Sequence, residues 1–329
     1  MPEIGLLEPR VLNGVINEFD PPEDFMGHTI VGAPVRDINP LWEYDIELPV
    51  RGAATTFNTP NAEARLVDHE PIGHMQGGYA YMRDKKLFKP TTLRWLRRAG
   101  ENAVSRRNAE AYVLKEIQAL RLQHQRGEEV AIWKMLHGSW TYDHISGHSQ
   151  TINYNVPSAH QPTVVNGWGA AGSTPVTDIR AWKKQTERTS GYAIRYAYMN
   201  ADTMTKFLID PQITEEMSDR QKDRYRAEGV IPRFFGIDWI EYDSGYVDTD
   251  GSYLPYIEDD HIILLAPGGD DVADLLYGPS ADHSSPSGHT GPFAKTWDEE
   301  DPSAKQFLLE NNFMPALRKP NQLIIADVS

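Results

Sequence analysis

From about Glu101 to His137 the chain holds one helical register, far longer than anything else in the sequence. A single helix of roughly 37 residues would be ~55 Å long at ~1.5 Å per residue. Average helices in globular proteins run to only ~11–12 residues. Just upstream, a Gly77-Gly78 break and a strand-like stretch from Tyr79 to Lys89 lead past Pro90 towards this rod. A rod and an arm that outgrow their own core need surfaces from another molecule. The first expectation is an assembly protein, with no self-contained catalytic machine.

Within the rod, Val113, Ile117 and Leu120 recur at spacings of 4 and 3, and Val130, Trp133 and Leu136 recur at 3 and 3. That places one apolar stripe on an otherwise polar helix. Gly127 interrupts it at a cost of about 1 kcal/mol relative to Ala. A kink there, or two shorter helices packed in a core, is the competing reading.

The 329 residues suffice for one to three domains with a sizeable core. With 47 acidic against 32 basic side chains, the formal charge is −15. That disfavours a direct grip on nucleic acid, which relies on Lys and Arg neutralising phosphates. It is compatible with enclosing nucleic acid at a distance, because an acidic wall repels phosphate. Cysteine is absent, which excludes disulfides, thiolate metal sites and a Cys nucleophile. No apolar run approaches the ~18 residues of a membrane-spanning helix. Met1 to Arg10 lacks the order of a signal peptide, so the expectation is a soluble intracellular protein.

Residues 1–47 carry turn formers (Asn13-Gly14, Asp20-Pro21-Pro22, Ala33-Pro34, Asn39-Pro40) and read as an extended arm needing a partner surface. Residues 48–90 read as a long hairpin-like loop with little core beneath it, including strand-like Arg65 to Val67. Thr91 and Thr92 can cap a short helix from Leu93 to Ala99. Beyond the rod, Gln150 to Tyr154 and Thr163 to Val165 are short strand-like pieces. Thr174-Pro175 opens a helix that Gly191 ends. Tyr192 to Met199 alternates as a strand, with Tyr192, Ile194, Tyr196 and Tyr198 on one face. Asn200 caps a helix ending at Asp210-Pro211, and Thr214 to Glu228 reads as one charged surface helix. Phe234 to Tyr242 and His261 to Ala266 are candidate central strands, with a tight turn at Asp248 to Gly251. The alternation over 174–266 gives a compact α+β or α/β unit. Gly268 to Pro292 is loop-rich, and the closing strand Gln322 to Val328 returns to a domain started earlier.

Four features imitate active sites. Gly167-Trp168-Gly169-Ala170-Ala171-Gly172 matches G-x-G-x-x-G, but Pro175 starts the helix three residues past the last glycine, and no acidic residue stands ~20 positions further on. Gly147-His148-Ser149-Gln150 lacks the second glycine of a nucleophile elbow. His144 and His148 are four apart without the glutamate of a zinc motif. Asp248-Thr249-Asp250-Gly251 fails the EF-hand spacing, because Tyr246 falls at position 1. The expected catalytic, cofactor-binding and metal-binding residues are therefore none, and no cofactor is expected. A nucleotide-binding enzyme using Gly167 to Gly172 stays as the alternative.

The order of segments and several stretches resemble the major capsid proteins of tailed bacteriophages, the lambda-type group with the Hong Kong 97 fold. Tyr79 to Leu96 (YAYMRDKKLFKPTTLRWL) is similar to that family's returning extended loop and the start of its spine helix. Asn108 to Leu136 resembles the spine. Asp178 to Asp210 resembles the start of the apical domain, and Gly291 to Ala304 with Pro320 to Val328 resembles its tail. The resemblance covers about residues 40–329.

It implies an α+β fold with an N-terminal arm (1–47), an extended β-hairpin loop (48–90), a peripheral domain (91–160 and 267–329, spine helix about 101–137) and an apical α/β domain (161–266). It implies hexamers and pentamers of this chain tiling an icosahedral shell around a phage genome of double-stranded DNA, enclosed without sequence-specific binding. Portal, scaffold or protease, and decoration proteins are the implied partners; no membrane is involved. The virion is the implied location, after synthesis in the host cytoplasm. Another shell protein of the same fold, of the encapsulin kind, is the nearest rival. Some relatives crosslink through a loop lysine, but Lys85, Lys86 and Lys89 read as solvated guards of a strand edge, and no crosslink is assigned.

Overall fold

The computed structural model describes residues 9–47, 72–88, 102–143, 149–229, 231–248, 250–266, 272–300 and 304–329. The strand expected at Arg65 to Val67, the helix at Leu93 to Ala99, Lys89, His144 and His148 lie outside the described residues. Two compact units emerge: one from the described residues of 1–43, 76–131 and 275–315, the other from those of 44–75, 132–274 and 316–329.

The rod is one helix, α3 (Asn102–Leu136), 35 residues and about 52 Å long. Two shorter helices, α1 (Pro9–Asn17) and α2 (Met26–Val31), come before it in the chain. Gly127 does not break α3. A Cβ there would lie 2.8 Å from the Met82 sulfur, so the missing side chain is space taken by a neighbouring strand. Val113, Ile117 and Leu120 are buried with Phe307 and Leu309 in one apolar cluster, as their spacing required.

The N-terminal segment departs from the expected extended arm. Leu12 and Ile16 of α1 are fully buried in that same cluster. Asn13 and Gly14, read as turn formers, lie inside the helix. The Asn13 amide donates to the Ala294 carbonyl (2.9 Å) and accepts from the Ala294 N–H (2.8 Å), replacing a missing strand partner. Tertiary burial overrides local turn preference here.

The first unit holds most of a five-stranded sheet, in which β12 (Ala273–Tyr277) and β13 (Phe293–Glu299) flank β14 (Ala304–Leu317). The two-residue β1 (Val35–Arg36) joins β12 in parallel. β4 (Ala80–Phe88) pairs antiparallel with β14 from Phe88↔Lys305 to Ala80↔Phe313. This narrows the expected 48–90 loop, because from Ala80 onward the strand belongs to its own sheet and Phe88 joins the core. Upstream, β2 (Leu41–Glu47) and β3 (Ile72–Gly78) form a two-stranded ribbon with Trp42, Tyr44 and Ile46 inward. β12 runs through the stretch expected to be loop. All five of its residues are buried, so it lacks the alternation that marks a half-exposed strand.

In the second unit, β5 (Ser139–Asp143) and β6 (Ser149–Asn153) form a hairpin. A four-stranded sheet runs in the order β15 (Leu323–Asp327), β11 (His261–Leu265), β7 (Tyr196–Met199), β8 (Asp238–Glu241). Ile263 faces Ile325 on one side and Tyr198 on the other. The closing strand thus completes the sheet of the unit containing 161–266. A strand buried on both faces needs a ladder on both edges, and β15 supplies the second edge of β11. Helices α4 (Pro175–Thr189), α5 (Ala201–Ile209) and α6 (Pro211–Glu216) cover one face through Ile179, Trp182, Phe207 and Ile213.

Some local expectations change. Thr163 to Val165 makes only an isolated bridge to Asp327. The strand expected over Tyr192 to Met199 is shorter, β7 covering only Tyr196–Met199, and its last three residues are all buried. The charged helix from Thr214 breaks at buried Met217, after which α7 (Asp219–Glu228) starts with a Ser218–Gln221 capping box and buries no residue. The turn near Asp248 does join two short strands, β9 (Gly245–Val247) and β10 (Tyr253–Pro255).

Candidate functional site

The apolar stripe of α3 does not end at Leu120. Its spacing continues through Arg121, His124 and Glu128, all of them buried. These side chains form the densest chemistry in the first unit. One Glu128 oxygen accepts from Arg121 Nη1 (3.0 Å) and from Asn311 Nδ2 (2.6 Å). The other accepts from the Tyr277 hydroxyl (3.1 Å) and meets His28 Nε2 at 3.1 Å. The opposite His28 nitrogen lies 2.8 Å from Glu129.

Glu129 also caps α2. Phe25, just before that helix, has no capping side chain, and the Gly27 and His28 N–H groups donate to the Glu129 carboxylate at 2.7 and 3.1 Å. A carboxylate at a helix N-terminus is favourable for both hydrogen bonding and the dipole. Only glycine allows the approach, because a Cβ on Gly27 would stand 2.8 Å from a Glu129 oxygen.

Burial works against charge on His28, but hydrogen bonds and the charges of Glu128 and Glu129 outweigh it and raise its pKa to about 9. Burial likewise opposes the charge on Glu128, and Arg121 with His28 overturns it, lowering the pKa to about 2. Burial beside Glu128 pushes the Tyr277 hydroxyl well above its ordinary value. At neutral pH the cluster is two cations held among carboxylates, with both Glu128 oxygens hydrogen-bonded. Both glutamates are sealed from solvent, so the arrangement clamps α2 onto α3 and leaves no opening for a substrate.

Sequence reasoning missed this cluster because it assigned polar residues of the rod to a solvated face. The signal was present in the register: Ile117, Arg121, His124 and Glu128 continue the 3–4 spacing of the apolar positions.

The Gly167 to Gly172 loop is held by packing at Gly167 and Trp168, while 169–172 are exposed. A Cβ on Gly167 would lie 2.6 Å from the backbone of Ser329. The Trp168 N–H donates to the Val328 carbonyl (3.0 Å), and the Ala170 and Ser173 N–H groups donate to carbonyls of the loop itself. Trp168 stacks on Trp182 and donates its indole N–H to Asp178 (3.2 Å). Amides so engaged cannot cradle a phosphate. Among the described residues, no group of three or more His, Cys, Asp or Glu is placed to hold a metal ion. An open cavity of about 380 Å³ beside α4 and α6 is lined by Val176, Thr177, Gln212, Glu215 and Glu216. Among the described helices, none is long and apolar enough to cross a membrane.

A sheet-and-rod chain with sealed charges matches a known family model, phage major capsid protein E, over residues 9–328. The chain belongs to that family. Solved structures share the fold at low identity. A protein described as a prophage capsid protein from Escherichia coli CFT073 superposes with a TM-score of 0.65 at 15% identity, covering 98% of this chain and 99% of that one. A phage-related protein from Bordetella bronchiseptica RB50 gives 0.52 at 12%, covering 97% and 96%. A chain of the satellite phage P4 procapsid gives 0.52 at 11%, covering 100% and 91%. A comparison with curated protein sequences returns no match. As a phage major capsid protein E, this is a shell-forming, self-associating structural protein of the virion, and the nucleotide-binding alternative finds no support.

Proposed function

We propose that the chain assembles as hexamers and pentamers that tile an icosahedral shell around a double-stranded phage genome. The family match across residues 9–328 carries this reading. Each role is geometric, spread over interfaces that in obligate assemblies reach ~2,000–5,000 Å², and no chemical step is needed. Residues 161–266 would gather at capsomer centres. Residues 91–160 and 267–329, with α3 as spine, would make contacts between capsomers, and the loop upstream of Ala80 would lie over a neighbouring copy. Formation in the host cytoplasm with portal, scaffold or protease, and decoration proteins completes the proposal. The net charge of −15 suits a wall that encloses DNA without gripping it.

Electron microscopy of the chain expressed alone tests the reading. Closed shells or capsomer rings are expected. A stable monomer at high concentration would overturn it.

A further inference from the structure

α3 runs into a histidine whose ring is only half satisfied. His137 follows Leu136 directly, and its Nδ1 lies 2.7 Å from the Trp133 carbonyl. A carbonyl only accepts, so Nδ1 carries the hydrogen and Nε2 is a bare acceptor in the neutral ring. That Nε2 is buried and has no hydrogen-bond partner among the described residues. Buried polar atoms are normally paired, so an orphan of this kind calls for an explanation.

The surroundings belong to the second unit and are closely packed. Gly138, in a left-handed turn at φ +87°, ends the helix against β15, where a Cβ would lie 3.2 Å from the Ile325 side chain. Trp133, one turn back, packs edge-on to Tyr198 of β7. The His137 ring stands 6.3 Å from that of His261, the first residue of β11.

Facing His137 are Lys134 from its own helix, and Glu258 and His261 from the chain entering β11. Glu258 favours a proton there, but it is more than half exposed and shared with Lys134 (3.4 Å). His261 turns its own Nδ1 to the Asp259 carbonyl (3.0 Å) and stands opposite Asp327 in the β11–β15 ladder. Burial above all, with Lys134 and His261 acting the same way, lowers the His137 pKa against the pull of the Trp133 carbonyl and Glu258.

We propose that His137 is a proton latch: its neutral ring seats the last turn of α3 against the sheet, and a proton on Nε2 unseats it. The new N–H would have no acceptor in its buried position, and its charge would stand beside a second imidazole. Protonation is then met by local opening of residues 132–138, which brings the ring to water. A group whose pKa is lowered by folding binds its proton more readily once opened. The seat is therefore firm above about pH 6.5 and weakens as pH falls below it. The latch belongs to the single chain and stands apart from the shell reading.

Amide hydrogen exchange of the full chain, read by mass spectrometry and corrected for the intrinsic rate, tests it. Opening of 132–138 should increase by up to about tenfold for each pH unit below 6.5, while 113–120 keeps its protection. His137→Asn offers an amide donor to the Trp133 carbonyl and takes no proton, so its exchange should stay flat over the same range. No increase in the wild type, or an equal increase in His137→Asn, would overturn the latch. If His137→Asn fails to fold, exchange of the imidazole Cε1 hydrogen in the wild-type peptide gives the His137 midpoint directly. A midpoint below 6.5 supports the latch, and one at or above 6.5 overturns it.

Discussion

α3 is buried by two chemistries along its length. In the first unit its inward face turns from Val113, Ile117 and Leu120 to Arg121, His124 and Glu128, and charges are satisfied by other charges. In the second unit its last turns are apolar, with Trp133 stacked on Tyr242 and edge-on to Tyr198. The aromatic end gains from area removed from water and tolerates small shifts. The ionic end offsets a large desolvation cost by tightly specified partners, so it fixes geometry more than it adds stability. One helix thus shows how a stripe with the same spacing can be either forgiving or exacting.

The largest effect should come from Trp133→Asp, which empties an aromatic site and buries a lone charge. A loss above about 5 kcal/mol is expected, with no shells by electron microscopy; normal particles would show that the end of α3 is not buried this way. Glu128→Ala strands Arg121 and His28 without their shared carboxylate and should cost about 3–5 kcal/mol in chemical denaturation. A cost below about 1 kcal/mol would mean the ionic end is not a clamp.

pH separates the two ends. His28 has a raised folded pKa of about 9 against 6.5, so its contribution is complete below about pH 6.5 and disappears as pH climbs through 9. Glu128 has a lowered pKa, about 2 against 4.5, so its contribution is complete above 4.5 and is lost as pH falls towards 2. Denaturation midpoints of the wild type should fall at both extremes, the alkaline loss being roughly 3 kcal/mol. His28→Ala should flatten the alkaline limb, while a last-turn mutant at the aromatic end should leave it intact.

Smaller still, Gly127→Ala should destabilise by about 1 kcal/mol, since its methyl meets the Met82 sulfur and outweighs the better helix propensity. Paired with Met82→Ala the penalty should vanish, a non-additivity that locates the contact. Arg224→Ala removes an exposed pair with Glu228 on α7 and should change stability by less than about 0.5 kcal/mol.

The sequence by itself determined the rod, its apolar stripe, the helix opened by Thr174-Pro175, the Asn200 cap and the order of segments that resembles phage capsid proteins. Each is written in local spacing or in caps, where a residue's neighbours are its chain neighbours. Only the tertiary structure decided that α1 is helical, that β12 and β14 are strands, and that Glu128 and Glu129 lie inside. In β14, Glu310, Asn311 and Asn312 interrupt the apolar run, yet Asn311 is the donor that Glu128 requires. A buried polar side chain looks like a surface residue until its partner is known, and apart from Arg121 these partners stand a hundred or more positions away. Local pattern fixes elements; distant partners fix which polar residues are allowed inside them.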